Sequence, residues 1–538
     1  MSTPPPIEGV TTNTAGFVGQ TVRGPTEPRL VTSWADFQRW YGGLGRPQAS
    51  SYLPPAVRGF FDNGGTRAYI SRVTPSAARH STMELSIGDG KVLVLRALGP
   101  GDLNGRLFAS LGRSPRSGFL WRLRRRASRF RLVVAYYDTP PETGPEGSPR
   151  VDPLDHGERG AAHVILEEFE GLVLDSHGEQ LELESALVTA TIGPAPSGTR
   201  PLGSTVISGK RVYVPASGGD EGDGDAGDLA AAIALADFVG ETPSSGRAGS
   251  GLLGLEGVDA ISLLTVPDEG HAGVDAAVRA GITNAVVRQC EQRRDRFGIL
   301  QFTVSEGAND PAGISPMVST SYAAVYFPWL RVLDEARGNT LLVPPGGHVA
   351  GAIARSDTEN GVHKAPANLE VRGIVTSDLP EGDPLSVIVS DRFQDVLNQR
   401  GINVIRDFRD AGRGVRVWGA RTLADDPEWK YVSVRRLFIF LERSISEGTR
   451  WAVFEPNAEP TWAGVRQSVT NFLTGVWRAG GLAGTKQDEA FFVRCDPTTM
   501  SLSDIEEGRL VCEVGIAPTR PREFVIFRIG QWTSDAHD

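Results

Sequence analysis

The stretch most like a cofactor site is RVYVPASGGDEGDGDAGDLAAAIALADF, where Gly222, Gly224 and Gly227 satisfy G-x-G-x-x-G between a strand-like and a helix-like run. That pattern lets backbone amides approach a pyrophosphate at a helix start. The charges oppose it: Asp220, Glu221, Asp223 and Asp225 stud the loop and would repel the ligand. The gap from strand to first glycine is also too long for the tight turn the motif needs. The same acids lack the ligand order of an EF-hand. An acidic surface loop is the better reading. A second run, RSPRSGFLWRLRRRASRFR, carries Arg113, Arg116, Arg122, Arg124, Arg125, Arg126, Arg129 and Arg131 without one acid. It could hold an acidic partner, but in an acidic chain a solvated hairpin is the simpler reading.

Nucleophilic and metal chemistry find no better footing. The eight histidines form no H-E-x-x-H, and the chain has no G-x-S-x-G and no P-loop. His348 in PPGGHVAG reads as a loop histidine capping backbone groups. No nucleophile, base and orienting partner come together. Cys290, Cys495 and Cys512 are far apart in sequence and form no C-x-x-C, so neither a disulfide frame nor a zinc site is expected, and a reducing compartment suits folding. The expectation is a non-enzyme without metal or cofactor.

The elements around these residues fill a large chain. Its 538 residues suggest three or four domains at about 150 residues each. A hydrophobic fraction of 40% and a charged fraction of 22% are ordinary for globular proteins. The net charge of −10 argues against a general nucleic-acid binder. The start, MSTPPPIEGVTTNT, lacks a basic and an apolar region, so no signal peptide is expected, and no run approaches the roughly 20 apolar residues of a membrane span.

Residues 1–14 read as a loose tail. Helices are expected at 33–43 and in YLPPAVRGFFDNGG, and a strand at 67–73. Residues 84–215 are strand-rich and predict a β-sandwich or barrel-like insert. From about 228 helices alternate with apolar strands, including 258–268, 298–304 and 323–332, which predicts an α/β layer domain. The final third alternates again: strands at 415–422 and RWAVFEP, and helices at 433–448 and 459–481. The last helix carries an apolar stripe of Trp462, Val465, Val469, Phe472, Leu473, Val476 and Trp477. EAFFVRC, LVCEVGIAP and EFVIFRIGQW close the chain as strands. In the last, Phe524, Val525, Ile526, Phe527, Ile529 and Trp532 supply apolar side chains on both faces, which need cover and an edge partner.

The final third resembles contractile tail sheath proteins of phage tails, R-type bacteriocins and phage-tail-like injection systems. The resemblance rests on GVHKAPAN (361–368), GINVIRDF (401–408), GVRVWGARTL (414–423), 426–457, 465–484, EAFFVRCDPTTM (489–500) and 508–529, joined by TAGFVGQTVRGPTEPRLVTSWADFQRWYGG and AVRGFFDNGGTRAYISRV near the start. It implies an α+β and α/β multidomain chain. An inner α/β domain would be built from both ends (15–75 and 376–522), with an inserted β-rich outer domain (76–215), an α/β domain (216–375) and terminal arms (1–14 and 523–538). The function implied is a subunit that polymerises around an inner tube in a metastable extended state and contracts to drive the tube through a target envelope, without nucleotide.

The implied arms are Ile7, Glu8, Gly9 and Val10 at one end and Phe524, Val525, Ile526, Phe527, Ile529 and Trp532 at the other. Ile7 to Val10 would gain order only on another subunit. Val511, Glu513, Val514 and Ile516 would be the accepting strand, completed by neighbours through strand addition. Arg466, Gln467, Thr470 and Arg478 on the polar face of the 460–479 helix would touch the tube. Implied partners are further copies in six-fold stacked rings, the tube protein, and baseplate and cap proteins, with no nucleic acid and no membrane insertion. The chain would be made in the bacterial cytoplasm without a signal peptide, as part of a phage tail or phage-tail-like particle that is cytoplasmic or released by lysis. Another self-assembling shell protein, or an α/β enzyme using the 228–375 layer, are the rival readings.

Overall fold

The computed structural model describes the chain except residues 1–4, 45–50, 89–90, 102, 114–128, 145–146, 155–163, 174–179, 195–205, 208–209, 212, 219–232, 245–248, 272–273, 305, 307–312, 335–337, 376–390 and 522–538. The acidic glycine loop, most of the arginine run and the final apolar strand lie outside the described residues.

One nine-stranded sheet organises the chain. Its strands are β1 (Thr14–Gly19), β2 (Arg29–Val31), β3 (Arg67–Arg72), β4 (Leu263–Thr265), β5 (Phe297–Gln301), β6 (Ala323–Phe327), β7 (Leu369–Glu370), β8 (Ile402–Asp407) and β9 (Val415–Val417), in the order β7-β9-β8-β6-β5-β4-β1-β3-β2. The six from β8 to β3 run parallel, and antiparallel strands flank them at both edges. Every residue of β1, β4, β5 and β6 is buried. That is how near-continuous apolar runs behave when both faces are covered. Ala15, Phe17, Ile299, Ala324 and Tyr326 enter one core, beneath helices α1 (Trp34–Tyr41) and α2 (Leu53–Asp62). Val18, Leu264, Leu300, Ala323, Val325 and Phe327 enter the other, beneath α3 (Ala276–Arg293). The alternation follows from the two-residue period of a strand.

α2 lies against α4 (Gly346–Asn360) at glycine contacts. A Cβ on Gly59 would stand 2.4 Å from the His348 ring, and one on Gly347 would stand 2.1 Å from the Ala56 carbonyl. His348 therefore sits in a helix and not in a loop. Burial alone drives its pKa down to about 4, so it packs as a neutral ring.

The carboxyl ends of the parallel strands, where α/β folds usually place ligands, are filled by the chain's own acids. Asp268 accepts bonds from the Gln20 and Tyr52 amides (2.9 and 2.6 Å) and from the Ser51 hydroxyl (3.1 Å). Glu269 accepts from the Gln301 side chain (2.8 Å) and the Thr283 hydroxyl (3.2 Å).

The β-rich insert, expected as a sandwich or barrel, consists of two four-stranded sheets sharing one core. Strands 82–88, 91–97, 188–194 and 180–181 form one four-stranded sheet, and 214–215, 107–113, 129–137 and 164–173 form another. Met83, Leu93, Leu95, Leu107, Leu132, Val134 and Val188 share one core between them. After residue 424 a separate unit packs α5 (Val432–Gly448), α6 (Glu459–Arg478) and a hairpin of β10 (Phe491–Arg494) and β11 (Glu513–Ile516).

Four expectations are corrected. The expected partition set 15–75 with 376–522, apart from 216–375. The nine-stranded sheet instead draws on 14–72, 263–327 and 369–417 together, because each strand needs paired neighbours on both sides. The strand expected at 323–332 breaks at Pro328, which has no N–H for a ladder; Leu330–Asp334 turns off to pair with Asn339–Val343. RWAVFEP is a 3-10 turn at Arg450–Ala452 followed by loop, since no described strand lies beside it to pair. The strand expected at 415–422 stops at Val417, where the chain turns from the sheet.

Burial raises the Glu269 carboxyl from its ordinary 4.5 to about 7, against the opposing pull of the Gln301 bonds, the Arg279 charge and the Thr283 hydroxyl. The unfolded chain releases this proton near pH 4.5 and the folded chain near pH 7. The protonated acid therefore contributes stability that is complete below about pH 4.5 and lost as pH rises through 7. The slope approaches about 1.4 kcal/mol per pH unit within that window. Urea midpoints of wild type and Glu269→Gln, measured from pH 5 to 8, should show a shallower decline in the variant. Identical slopes would refute this assignment.

Candidate assembly interface

The N-terminal segment crosses the carboxy-terminal unit of its own chain. Ile7 is buried among Leu437, Leu441, Trp462, Val465 and Val469. The Val10 amide donates to the Ser444 hydroxyl at 3.1 Å, and the Ser468 hydroxyl donates to the Pro5 carbonyl at 3.4 Å. Gly9 passes over the Phe440 ring, where a Cβ would stand 2.9 Å away, and Glu8 faces solvent. Residues 7–10 thus have a seat in cis. The expectation that they order only on another subunit is corrected, because α5 and α6 form an apolar groove that takes Ile7 directly.

The groove closes over an ion pair. Arg436 on α5 donates to both carboxylate oxygens of Asp357 on α4, at 2.9 and 2.6 Å, and to the Thr12 carbonyl at 2.8 Å. Both side chains are 3% exposed. One guanidinium therefore links the main sheet's helix layer, the carboxy-terminal unit and the N-terminal segment.

The apolar stripe of α6 lies as its periodicity predicts, with Trp462, Val465, Val469 and Leu473 buried against α5 and β10. Its polar face is less open than expected. Arg466 donates to the Cys495 carbonyl at 2.7 Å and reaches Glu459 at 3.4 Å, so much of its guanidinium serves the hairpin. Thr470 is half-buried, and its carbonyl accepts from the Thr474 hydroxyl at 2.7 Å. Gln467, bonded to Asn471 at 2.8 Å, and Arg478 face solvent.

The hairpin carries exposed apolar surface. Phe492 is 49% exposed and Val511 and Val514 36% each. Glu513, Val514 and Ile516 lie within β11, while Val511 precedes it. Among the described residues β11 pairs with β10 on one edge, and no further strand joins this two-stranded sheet. Thr519, Arg520 and Pro521, the last described residues, line a cavity of about 870 Å³ together with His363, Trp418 and Tyr431. Phe454, at φ 69°, stands fully in solvent at the loop between α5 and α6. The sequence reading missed the exposed Phe454 and the Arg436–Asp357 pair; the apolar type of the first was visible, but the exposure was not.

No cluster of His, Cys, Asp and Glu among the described residues could hold a metal ion, and no described helix is long and apolar enough to cross a membrane.

The whole chain shares its fold with sheath proteins of known structure. It covers 99% of itself and 96% of a chain from the helical sheath of the anti-feeding prophage in its contracted state, at a TM-score of 0.55 and 23% identity. A sheath tail protein from Listeria innocua aligns over 95% of this chain and 96% of its own, at a TM-score of 0.55 and 12% identity. In sequence, residues 249–423 match the phage tail sheath protein central domain and 424–531 the phage tail sheath C-terminal domain. These abutting matches span more than half of the chain, and the chain belongs to the phage tail sheath family. The tail sheath protein of Vibrio phage KVP40 is 26% identical over 223 residues, covering 41% of this chain and 31% of that protein. A putative prophage major tail sheath protein of Pseudomonas aeruginosa (strain UCBPP-PA14) is 26% identical over 219 residues, covering 39% and 52%. The matched segments thus span a third to a half of these relatives.

Two substitutions probe the seat. A Cβ on Gly448 would stand 2.7 Å from Ile7, so Gly448→Val should displace the segment. Overpacking of this kind costs about 1–3 kcal/mol, which should speed hydrogen exchange at the Val10 amide roughly 5- to 150-fold. Unchanged protection at Val10 would exclude the cis seat. Arg436→Met leaves Asp357 buried and unpaired, which should cost about 3–5 kcal/mol in chemical denaturation. A loss below about 1 kcal/mol would mean that the pair is as weak as a surface one.

Proposed function

We propose that this chain is a structural subunit of a contractile sheath and performs no catalysis. The observation that carries the reading is the pair of abutting sheath-domain matches over 249–531, with a fold likeness spanning nearly the whole chain. Copies assemble around an inner tube as stacked six-fold rings in an extended, metastable lattice. A baseplate and a cap bound the assembly. Contraction switches packed interfaces between discrete arrangements, with domains moving almost as rigid bodies. The mechanical work comes from that difference in packing, so the step needs no nucleotide.

The arms supply the linkage. In this reading Phe524 to Trp532, which lie outside the described residues, pair with a neighbour's hairpin edge. The exposed Phe492 and Val514, beside a β11 edge that no described strand covers, support this, because strand addition combines main-chain bonds with side-chain cover. Ile7 to Val10 exchange their cis groove for the equivalent groove on another copy, as expected where one segment fits identical seats on identical subunits. Gln467 and Arg478 on α6 are the tube-facing contacts, with Arg466 and Thr470 shaping that face from behind. In this reading the chain works in a phage tail or phage-tail-like particle, which the family match supports.

Electron microscopy of purified chain, alone and with a tube protein, tests the proposal. Hollow cylinders are expected. Removal of both 1–10 and 523–538, which spares Thr12, should abolish them while leaving folded monomer. Cylinders that form normally from the truncated chain would overturn the arm mechanism. Closed shells, flat lattices or only monomer from the full chain would overturn the sheath reading.

A further inference from the structure

The three cysteines are too scattered in sequence to suggest a pair, but the hairpin brings two of them together. In the β10–β11 ladder Phe491 opposes Ile516, Phe492 opposes Gly515, Val493 opposes Val514 and Arg494 opposes Glu513. One step further along that register, Cys495 opposes Cys512. The type of this position follows from the hydrogen bonds. The Ala517 amide donates to the Ala490 carbonyl, which makes 490/517 a hydrogen-bonded position. Strict alternation then makes 495/512 a non-hydrogen-bonded one, where Cα atoms lie about 4.5 Å apart and side chains are closest. That separation falls within the roughly 4.4–6.8 Å that disulfides span. Both thiols are free, the Cys495 side chain is buried and the Cys512 side chain is half-exposed.

We propose that Cys495 and Cys512 are a redox-modifiable pair that closes into a cross-strand disulfide when the protein meets an oxidising low-molecular-weight disulfide, stapling the carboxy-terminal hairpin. The proposal does not depend on the assembly reading. The Cys512 thiolate attacks one sulfur of the small disulfide RSSR, forming a mixed disulfide and releasing RS⁻, which takes up the proton lost from Cys512. The Cys495 thiol then loses its proton and attacks Cys512 Sγ, displacing the second RS⁻, which takes up that proton. The net change is two protein thiols plus RSSR giving one protein disulfide plus two RSH, with the two electrons passing to the small disulfide.

The surroundings fit this order. The hydrogen bond from Cys495 holds the Cys512 pKa below its usual value, while the same bond and burial hold Cys495 above its own. Thiolate character thus falls on the more accessible sulfur, which is what an attacking thiol requires. Arg466, fixed by its bond to the Cys495 carbonyl, adds positive charge beside both sulfurs. Cys290 is buried in the core beside α3, where burial pushes its thiol up to about 12, so it serves as an internal bystander. The staple would close the loop 496–511, which includes the short helix Leu502–Glu506, and constrain the unfolded chain there. It would also hold β11, with its exposed edge, in one register against β10.

The experiment uses the purified full chain under native conditions with oxidised glutathione as the oxidant. Intact mass should fall by two hydrogens with no glutathione retained, and a proteolytic map should link the Cys495 and Cys512 peptides. The thermal midpoint should rise and return with dithiothreitol. Cys495→Ser should stop at a glutathione adduct on Cys512, and Cys290→Ser should behave as wild type. A wild-type product that keeps glutathione, links through Cys290, crosslinks separate copies or shows no mass change would overturn the proposal, as would an oxidised product with an unaltered midpoint.

Discussion

The arrangement of this protein depends on one buried charge pair. Arg436 and Asp357 are almost fully withdrawn from water, and a guanidinium there is tolerable only because a carboxylate and a carbonyl satisfy it. Asp357 belongs to the helix layer over the parallel sheet, Arg436 to the carboxy-terminal unit and Thr12 to the N-terminal segment. Their meeting joins three parts of the chain. Arg436 is also next to Leu437 and little more than one turn from Phe440 and Leu441, which line the seat of Ile7 and Gly9, so the same helix that anchors the unit shapes the groove for the N-terminal segment.

The main sheet accounts for the stiffness that such a linkage needs. Six parallel strands with cores on both faces leave little room for local rearrangement. Its carboxyl end, the usual ligand crevice of α/β folds, is closed by Asp268 and Glu269, which satisfy backbone amides from Gln20, Tyr52 and Gln301. Buried acids here bind the protein's own segments. The fold keeps the architecture of a ligand-binding layer while using the crest to tie the early chain to the middle.

The carboxy-terminal hairpin is built on the opposite principle. It has two short strands, partly exposed apolar side chains and no further strand among the described residues. An edge of that kind invites pairing with another chain. In the proposed lattice it would serve as a joint, and the proposed cysteine staple at its loop end would fix that joint's register.

Some features were legible in the sequence because they depend on local periodicity. The stripe on α6, the buried run of α5, the sandwich of 84–215 and the parallel character of the middle strands follow from which residues repeat every 2 or 3.6 positions. The ordered blocks near both ends also carried the family resemblance. Partition of the strands was not legible, because β1, β4 and β8 are all apolar runs and nothing in them names a neighbour. Nor could spacing reveal that His348 packs neutral on Gly59, that Pro328 splits a run between two sheets, or that Ile7 has a seat on its own chain. The sequence determined the elements, their faces and the absence of catalytic motifs, since these are set by residues a few positions apart. Only the tertiary structure decided that Arg436 meets Asp357 and that Cys495 faces Cys512, because a buried pair and a strand register are set by which distant segments come to lie side by side.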